Sequence, residues 1–272
     1  MLIVKIISRK WHNIKFFEGT LNPKYIIQGG ERNIIVKIVK IAIIVSIIII
    51  IISSYLLIKD LLEYKESNDA SMELIENVII KDNDDKKREI DWDKLEEINP
   101  DIIGWINIEN TKINYPILKD NDNLKYLKHS FNGKYNSNGS IFTLNDNPFQ
   151  DNITIIYGHN MKSGLMFSEL ANYMNKNFLN EHSNFEIYTK KQNYKATIFS
   201  CYSIGVNIEE KNIKSLSYEE EIEYYKKASK YYIENINEIK KIVKLSTCSY
   251  INNRTTPTDQ RYYIIAKLEK ID

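Results

Sequence analysis

The sequence predicts a mainly β domain with peripheral helices, a sandwich or barrel, standing behind a transmembrane helix and a helical stalk. Three observations carry that prediction. Beyond Pro100, about eight short runs rich in β-branched and aromatic residues recur between clusters of Asn, Gly and Asp. Ahead of them, the run IAIIVSIIIIIISSYLLI, Ile41 to Ile58, holds eighteen residues without a charge. The stretch between the two is dense in charge and loosely helical in its apolar spacing.

With 272 residues, 43% hydrophobic and 27% charged, the chain can bury one core of ordinary size and falls outside the disordered class. Its formal net charge of +1 is unevenly divided: residues 1–40 carry eight Lys/Arg against two Glu, and the remainder 29 basic against 34 acidic residues. That asymmetry is a topology signal rather than a nucleic-acid footprint. Eighteen apolar residues cross most of a bilayer core as a helix, and Ile34, Ile35, Val36, Ile38 and Val39 extend the span, so residues 34–58 read as the membrane anchor. A buried core helix of this length would keep a polar face. Arg9, Lys10, Lys15, Lys24, Arg32, Lys37 and Lys40 precede or enter the span, which puts residues 1–33 in the cytoplasm and everything after Ile58 outside. Ser53-Ser54-Tyr55, followed by more apolar residues, makes a poor cleavage site, so the anchor is read as uncleaved. The basic and aromatic residues of 1–33 suit a face that hugs the membrane.

Residues 59–90, with KDNDDKKRE at Lys81 to Glu89, read as a solvated stalk. Asp120 and Asp122 come nearest to a calcium loop but lack its Gly and terminal Glu. Residues 91–272 form the domain proper. Its strands are expected at Trp105–Ile108, Lys112–Ile117, Ser140–Leu144, Ile153–Tyr157, Phe185–Thr189, Tyr194–Ile204, Lys241–Thr247 and Arg261–Leu268. Three helices interrupt them: Asp122 can cap Leu124–Lys128, Ser163 can cap Leu165–Met174, and Ser217 can cap a helix from Tyr218 to about Ile233. In the last, Ile222, Tyr225, Ala228 and Tyr232 share one face, which should pack on the β structure.

The chain has two cysteines, and Cys248 ends a strand-like run in KLSTCSY, at a position that exposes a side chain at a rim. It reads as a small buried hydrophobe, as half of a disulfide with Cys201, or as a nucleophile. A thiolate nucleophile needs a proton partner and a stabiliser of the oxyanion it creates. Of four histidines, His12 is cytoplasmic by the topology above, and His129 and His182 lie in polar, helix-flanking segments as solvated groups. His159, in NITIIYGHNM, follows a β run and a Gly, where loops on a rigid scaffold carry chemistry. Arg88, Arg254 and Arg261 are the arginines beyond the anchor; Arg261 opens the last apolar strand, and a guanidinium there can donate to developing negative charge. Arg254, in NNRTTP, reads as loop. The histidines and cysteines show no metal-ligand spacing.

The order of GH, then LSTC, then an Arg on the following strand resembles the sortases, membrane-anchored cysteine transpeptidases of Gram-positive bacteria. The family's TLxTC reads KLSTC here, with Lys244 at the usual first Thr. The segments IIGWINIENTKINYPILKDNDNLKYLKHSFNGKYNSNGSIFTLND and IIYGHNMKSGLMFSEL, and a long helix between two late strands, are similar to class B, over about Asp91 to Asp272. The resemblance implies an eight-stranded sortase-type β-barrel and no cofactor. It implies Cys248 as nucleophile, His159 as general acid/base and Arg261 as the oxyanion- or substrate-positioning arginine. Ser246, Tyr157, Asn123 and Leu127 match substrate-contacting positions. Implied partners are secreted proteins bearing a sorting signal, of an NPxTx-like or related kind, and an amine of a peptidoglycan precursor or a pilin lysine. A papain-type protease would place its Cys before its His. A membrane-anchored, non-catalytic surface binding module is the alternative from another class, and it would need neither a free thiol nor Arg261.

Overall fold

The computed structural model describes residues 29–83, 86–121, 124–231, 233, 238–249 and 259–271. Two compact units divide the chain, Met1–Ile58 and Lys59–Asp272. In the first, the described residues are all helix, part of α1 (Gly29–Val78), whose large apolar side chains from Ile41 to Ile58 are exposed. From Val36 on, α1 is long and apolar enough to cross a membrane, with a mean hydropathy of 3.0 in its most apolar window.

In the second unit α1 runs on to Val78 and is followed by a hairpin of β1 (Ile79–Asn83) and β2 (Lys86–Ile90) and by α2 (Trp92–Ile98), which Asp91 caps by accepting from the Lys94 amide. The stretch 59–90, expected as a solvated stalk, is thus helix then hairpin, and its later part is packed. Leu74, Val78 and Ile90 are buried in one cluster with Leu95, Trp105, Leu118 and Phe142. A solvated stalk needs no such apolar residues, and these three bury on the barrel's outer wall because β3 and β4 present Trp105 and Leu118 there.

All eight expected strands form. They are β3 (Ile102–Asn107), β4 (Asn114–Lys119), β5 (Ile141–Thr143), β6 (Ile153–Tyr157), β7 (Asn184–Tyr188), β8 (Asn193–Gly205), β9 (Ile242–Cys248) and β10 (Gln260–Ile271). They close a barrel in the order β10-β8-β7-β3-β4-β5-β6-β9, in which β4–β5 and β6–β9 pair parallel and the other pairs are antiparallel. Closure removes the free edges that an open sheet would leave. Ile106, Ile117, Ile141, Ile156, Ile187, Ile198, Val243, Leu245 and Ile264 fill the interior. The period of two then turns Ile242, Tyr263 and Ile265 outward, where they meet Ile222 and Tyr225 of α5 (Tyr218–Ala228).

The helices differ more from expectation than the strands. Ser217 caps α5 in a full capping box with Glu220, but the helix ends at Ala228. There Ser229 turns extended, its Oγ accepting from the Cys201 amide, and the Lys230 amide donates to the Cys201 carbonyl, so β8 captures the chain. Tyr232 lies outside the described residues. The helix expected from Ser163 is 3-10 helix at Ser168–Met174 only, because Met166, at φ 55, sits in the left-handed region and bridges Asn160. Leu124–Lys128 shortens to a 3-10 turn at Lys125–Leu127, and its proposed cap, Asp122, is outside the described residues. Two short helices were not foreseen, α3 (Lys176–Glu181) and α4 (Val206–Ile213).

Candidate active site

The site is built on three neighbouring strands, with β9 in the middle. Its register with antiparallel β10 sets Cys248 directly opposite Arg261 and Ser246 opposite Tyr263. Its register with parallel β6 sets Ser246 beside Tyr157, and the Gly158 amide donates to the Ser246 carbonyl at 3.2 Å. His159 and Cys248 each stand two residues past the last pair of that ladder. The Asn160 side-chain amide then ties this end of β6 to β9 by donating to the Cys248 carbonyl at 2.7 Å.

Alternation decides the face. Val243 and Leu245 point into the barrel, as do Ile156 and Ile264 on the flanking strands. Cys248, Arg261 and Tyr157 belong to the opposite parity and share the outer face. Cys248 is half-buried there and its thiol is free.

His159 is held from two sides. Its Nε2 lies 2.8 Å from the Leu127 carbonyl oxygen, and its own carbonyl accepts from the Phe167 amide. A carbonyl can only accept, so Nε2 carries the proton and Nδ1 is the nitrogen left for proton exchange. The Leu127 carbonyl sits against Gly139, whose φ of +61° favours glycine. Arg261 Nη1 donates to the Gln260 carbonyl at 2.9 Å, and the Ser249 amide donates to the same carbonyl, which steadies the strand ends around the thiol.

The other positions singled out in the sequence are less uniform. Tyr157 is half-buried against Phe142, and burial, followed by the nearby Glu210 charge, raises its hydroxyl above the ordinary tyrosine value. Ser246 shares the outer face with Cys248 by alternation and is buried there at 3% exposure. Leu127 is half-buried and holds His159 through its backbone. Asn123 and Arg254 lie outside the described residues. His129 and His182, expected as solvated groups, are half-buried, each with Nδ1 against a main-chain carbonyl four residues earlier in the chain. Cys201 is a free thiol inside the barrel, its Sγ 3.5 Å from the Tyr173 carbonyl. Burial pushes it up to about 11. The two sulfurs therefore face opposite sides of the barrel wall, and no disulfide joins them.

Three supports escaped the sequence reading: Asn160, Gly139, and the buried contact of Lys244 with Glu209. Asn160 had a local signal, since it follows Gly158-His159 directly; the other two arise from contacts distant in the chain. Among the described residues, no cluster of His, Cys, Asp and Glu is arranged to hold a metal ion.

A family model described as the sortase domain matches residues 106–269. The chain belongs to the sortase family. Sortases are cysteine transpeptidases, and the relatives of this chain fall in class B. Sortase B of Listeria monocytogenes is 38% identical over 161 residues, covering 57% of this chain and 65% of that protein, just under two thirds of its length. Sortase B of Staphylococcus aureus is 28% identical over 237 residues, covering 84% of this chain and 95% of that protein. Among solved structures, Clostridium perfringens sortase B superposes with a TM-score of 0.60 at 30% identity, over 67% of this chain and 100% of that one. The eight-stranded closed barrel described above is thus a sortase barrel.

Proposed function

We propose that this sortase is a membrane-anchored transpeptidase that cleaves a C-terminal sorting motif after Thr and transfers the protein to an amine of a peptidoglycan precursor or a pilin lysine. Residues 1–33 lie in the cytoplasm, 34–58 span the membrane, 59–90 lead out from it, and 91–272 are the catalytic domain outside the cell. The observation that carries the reading is the strand register: Cys248 pairs with Arg261 on one face of the wall, and the β6–β9 pairing ends at Tyr157 and Ser246, two residues before His159 and Cys248.

The Cys248 thiolate attacks the threonine carbonyl carbon, and the electron pair of that C=O moves to its oxygen. Arg261 donates to that oxyanion or to the peptide backbone beside it. As the carbonyl re-forms, the C–N bond breaks and His159 gives its proton to the departing amine, which leaves a thioester on Cys248. An acceptor amine then attacks the thioester, His159 takes the amine's proton, and the sulfur leaves as thiolate. Tyr157, Ser246, Leu127 and Asn123 line or support the peptide groove.

The test is to incubate the detergent-solubilised chain with a panel of sorting peptides and a free amine, and to read the products by mass spectrometry. An adduct on Cys248 and a peptide joined to the amine are the expected products, both lost in Cys248→Ala. If no peptide yields either product, the chain is better read as a surface binding module.

A further inference from the structure

Lys244 stands where the family motif usually has Thr, and it is 2% exposed. Its side chain leaves β9 on the same face as Cys248, four residues along the strand. Nζ meets Glu209 Oε1 of α4 at 2.5 Å. It also lies 4.2 Å from the ring centre of Tyr263 and 4.8 Å from that of Tyr225. Glu209 is equally buried and takes two further donors, Tyr202 Oη at 2.6 Å and Tyr224 Oη at 2.8 Å. Burial pulls the Lys244 ammonium down from its ordinary value, and the Glu209 carboxylate opposes that pull. The network joins β8, β9, β10, α4 and α5 at one point.

A pair of apolar residues of similar volume could replace Lys244 and Glu209 without loss of stability, since replacing a buried ion pair that way is often neutral or stabilising, whereas removing one partner strands a buried charge. What an apolar residue lacks is direction. The ammonium fixes the Tyr263 ring by a cation–π contact. Tyr263 is the cross-strand partner of Ser246 and stands on the same strand face as Arg261, two residues on. We infer that Lys244 and Glu209 are a positioning pair, which holds Tyr263 and the α4–α5 segment as the floor of the peptide groove and so sets affinity for the sorting peptide rather than reactivity of the thiol. The inference rests on the proposed transpeptidase reading.

Its test is Lys244→Met/Glu209→Gln, which removes both charges; the Gln carbonyl oxygen keeps an acceptor for one of Tyr202 and Tyr224, and the Gln amide can donate to the hydroxyl oxygen of the other. The full chain in detergent is assayed with a sorting peptide and an amine. A melting temperature at or above the parent's is expected, with KM raised about tenfold and kcat held within about threefold. The rate of Cys248 alkylation by iodoacetamide should stay within about twofold of the parent's. A stable double variant with the parent's KM would show the pair to be packing alone and overturn the inference. If the double variant does not fold, Glu209→Asp, which keeps the charge but withdraws it by one methylene, gives the same reading: raised KM supports the inference and unchanged KM overturns it. A parent chain inactive toward every peptide sinks the transpeptidase reading, whereas an active parent with an unaltered double variant sinks only the positioning role.

Discussion

Gly139→Ala tests how the histidine is held. A Cβ at position 139 would come within 2.7 Å of both the Tyr126 and Leu127 carbonyl oxygens, at a φ of +61°. Both obstacles are backbone, so no side chain can swing away. The left-handed conformation costs a non-glycine residue about 1–2 kcal/mol, and forcing the neighbouring backbone outward adds about 1–3 kcal/mol. At roughly 2–4 °C per kcal/mol for a unit of this size, the melting temperature should fall by about 4–20 °C. The displaced Leu127 carbonyl is the one that His159 Nε2 contacts at 2.8 Å. A shift of about 1 Å in a catalytic group costs on the order of 100-fold in rate, so kcat with a sorting peptide should drop by about that factor at a temperature where the variant is folded. Gly133→Ala is the control, because Gly133 has a φ of +78° but nothing within 4 Å of its would-be Cβ. It should lose only the conformational term, about 1–2 kcal/mol, and keep full activity. A Gly139→Ala protein with the parent's melting temperature and turnover would refute the coupling of Gly139 to His159.

The two thiols should separate by reagent. In the native protein iodoacetamide should modify Cys248 alone, with Cys201 joining it only in denaturant, as read by mass spectrometry; native labelling of Cys201 would contradict its burial. Cys201 is raised on folding from 9.0 to about 11, so its contribution to stability is complete below pH 9 and is lost as pH rises towards 11. Denaturant titrations across that window should show the loss, on the order of 2 kcal/mol, to be smaller in Cys201→Ala. Arg261→Lys keeps the charge but not the planar fork, and kcat should fall by roughly 100- to 1,000-fold if the guanidinium serves the oxyanion; full turnover in that variant removes the role. Ile222→Ala, which empties the α5 side of its contact with the barrel wall, should cost about 2–4 kcal/mol in chemical denaturation. An unchanged midpoint would mean that α5 contributes little to the fold.

The sequence alone determined the parts of this protein that depend on near neighbours. An apolar run long enough to cross most of a bilayer core, eight runs of strand-forming residues and Ser217 as a helix cap are all local patterns, and each is present in the structure. The sortase resemblance was legible for the same reason, since GH, LSTC and the strand-opening Arg are short motifs. Helix ends were less legible: α5 stops where β8 supplies partners for Ser229 and Lys230, a contact no window of neighbouring residues contains. Only the tertiary structure decided that Cys248 and Arg261 meet, because a slip of one residue in the β9–β10 register would turn one of them to the other face of the barrel. It also decided that Lys244 of β9 is buried against Glu209, and that the end of α1 and the β1–β2 hairpin pack on the barrel. Side-chain periodicity is written along the chain, but pairing and burial are set by residues that folding brings together from far apart.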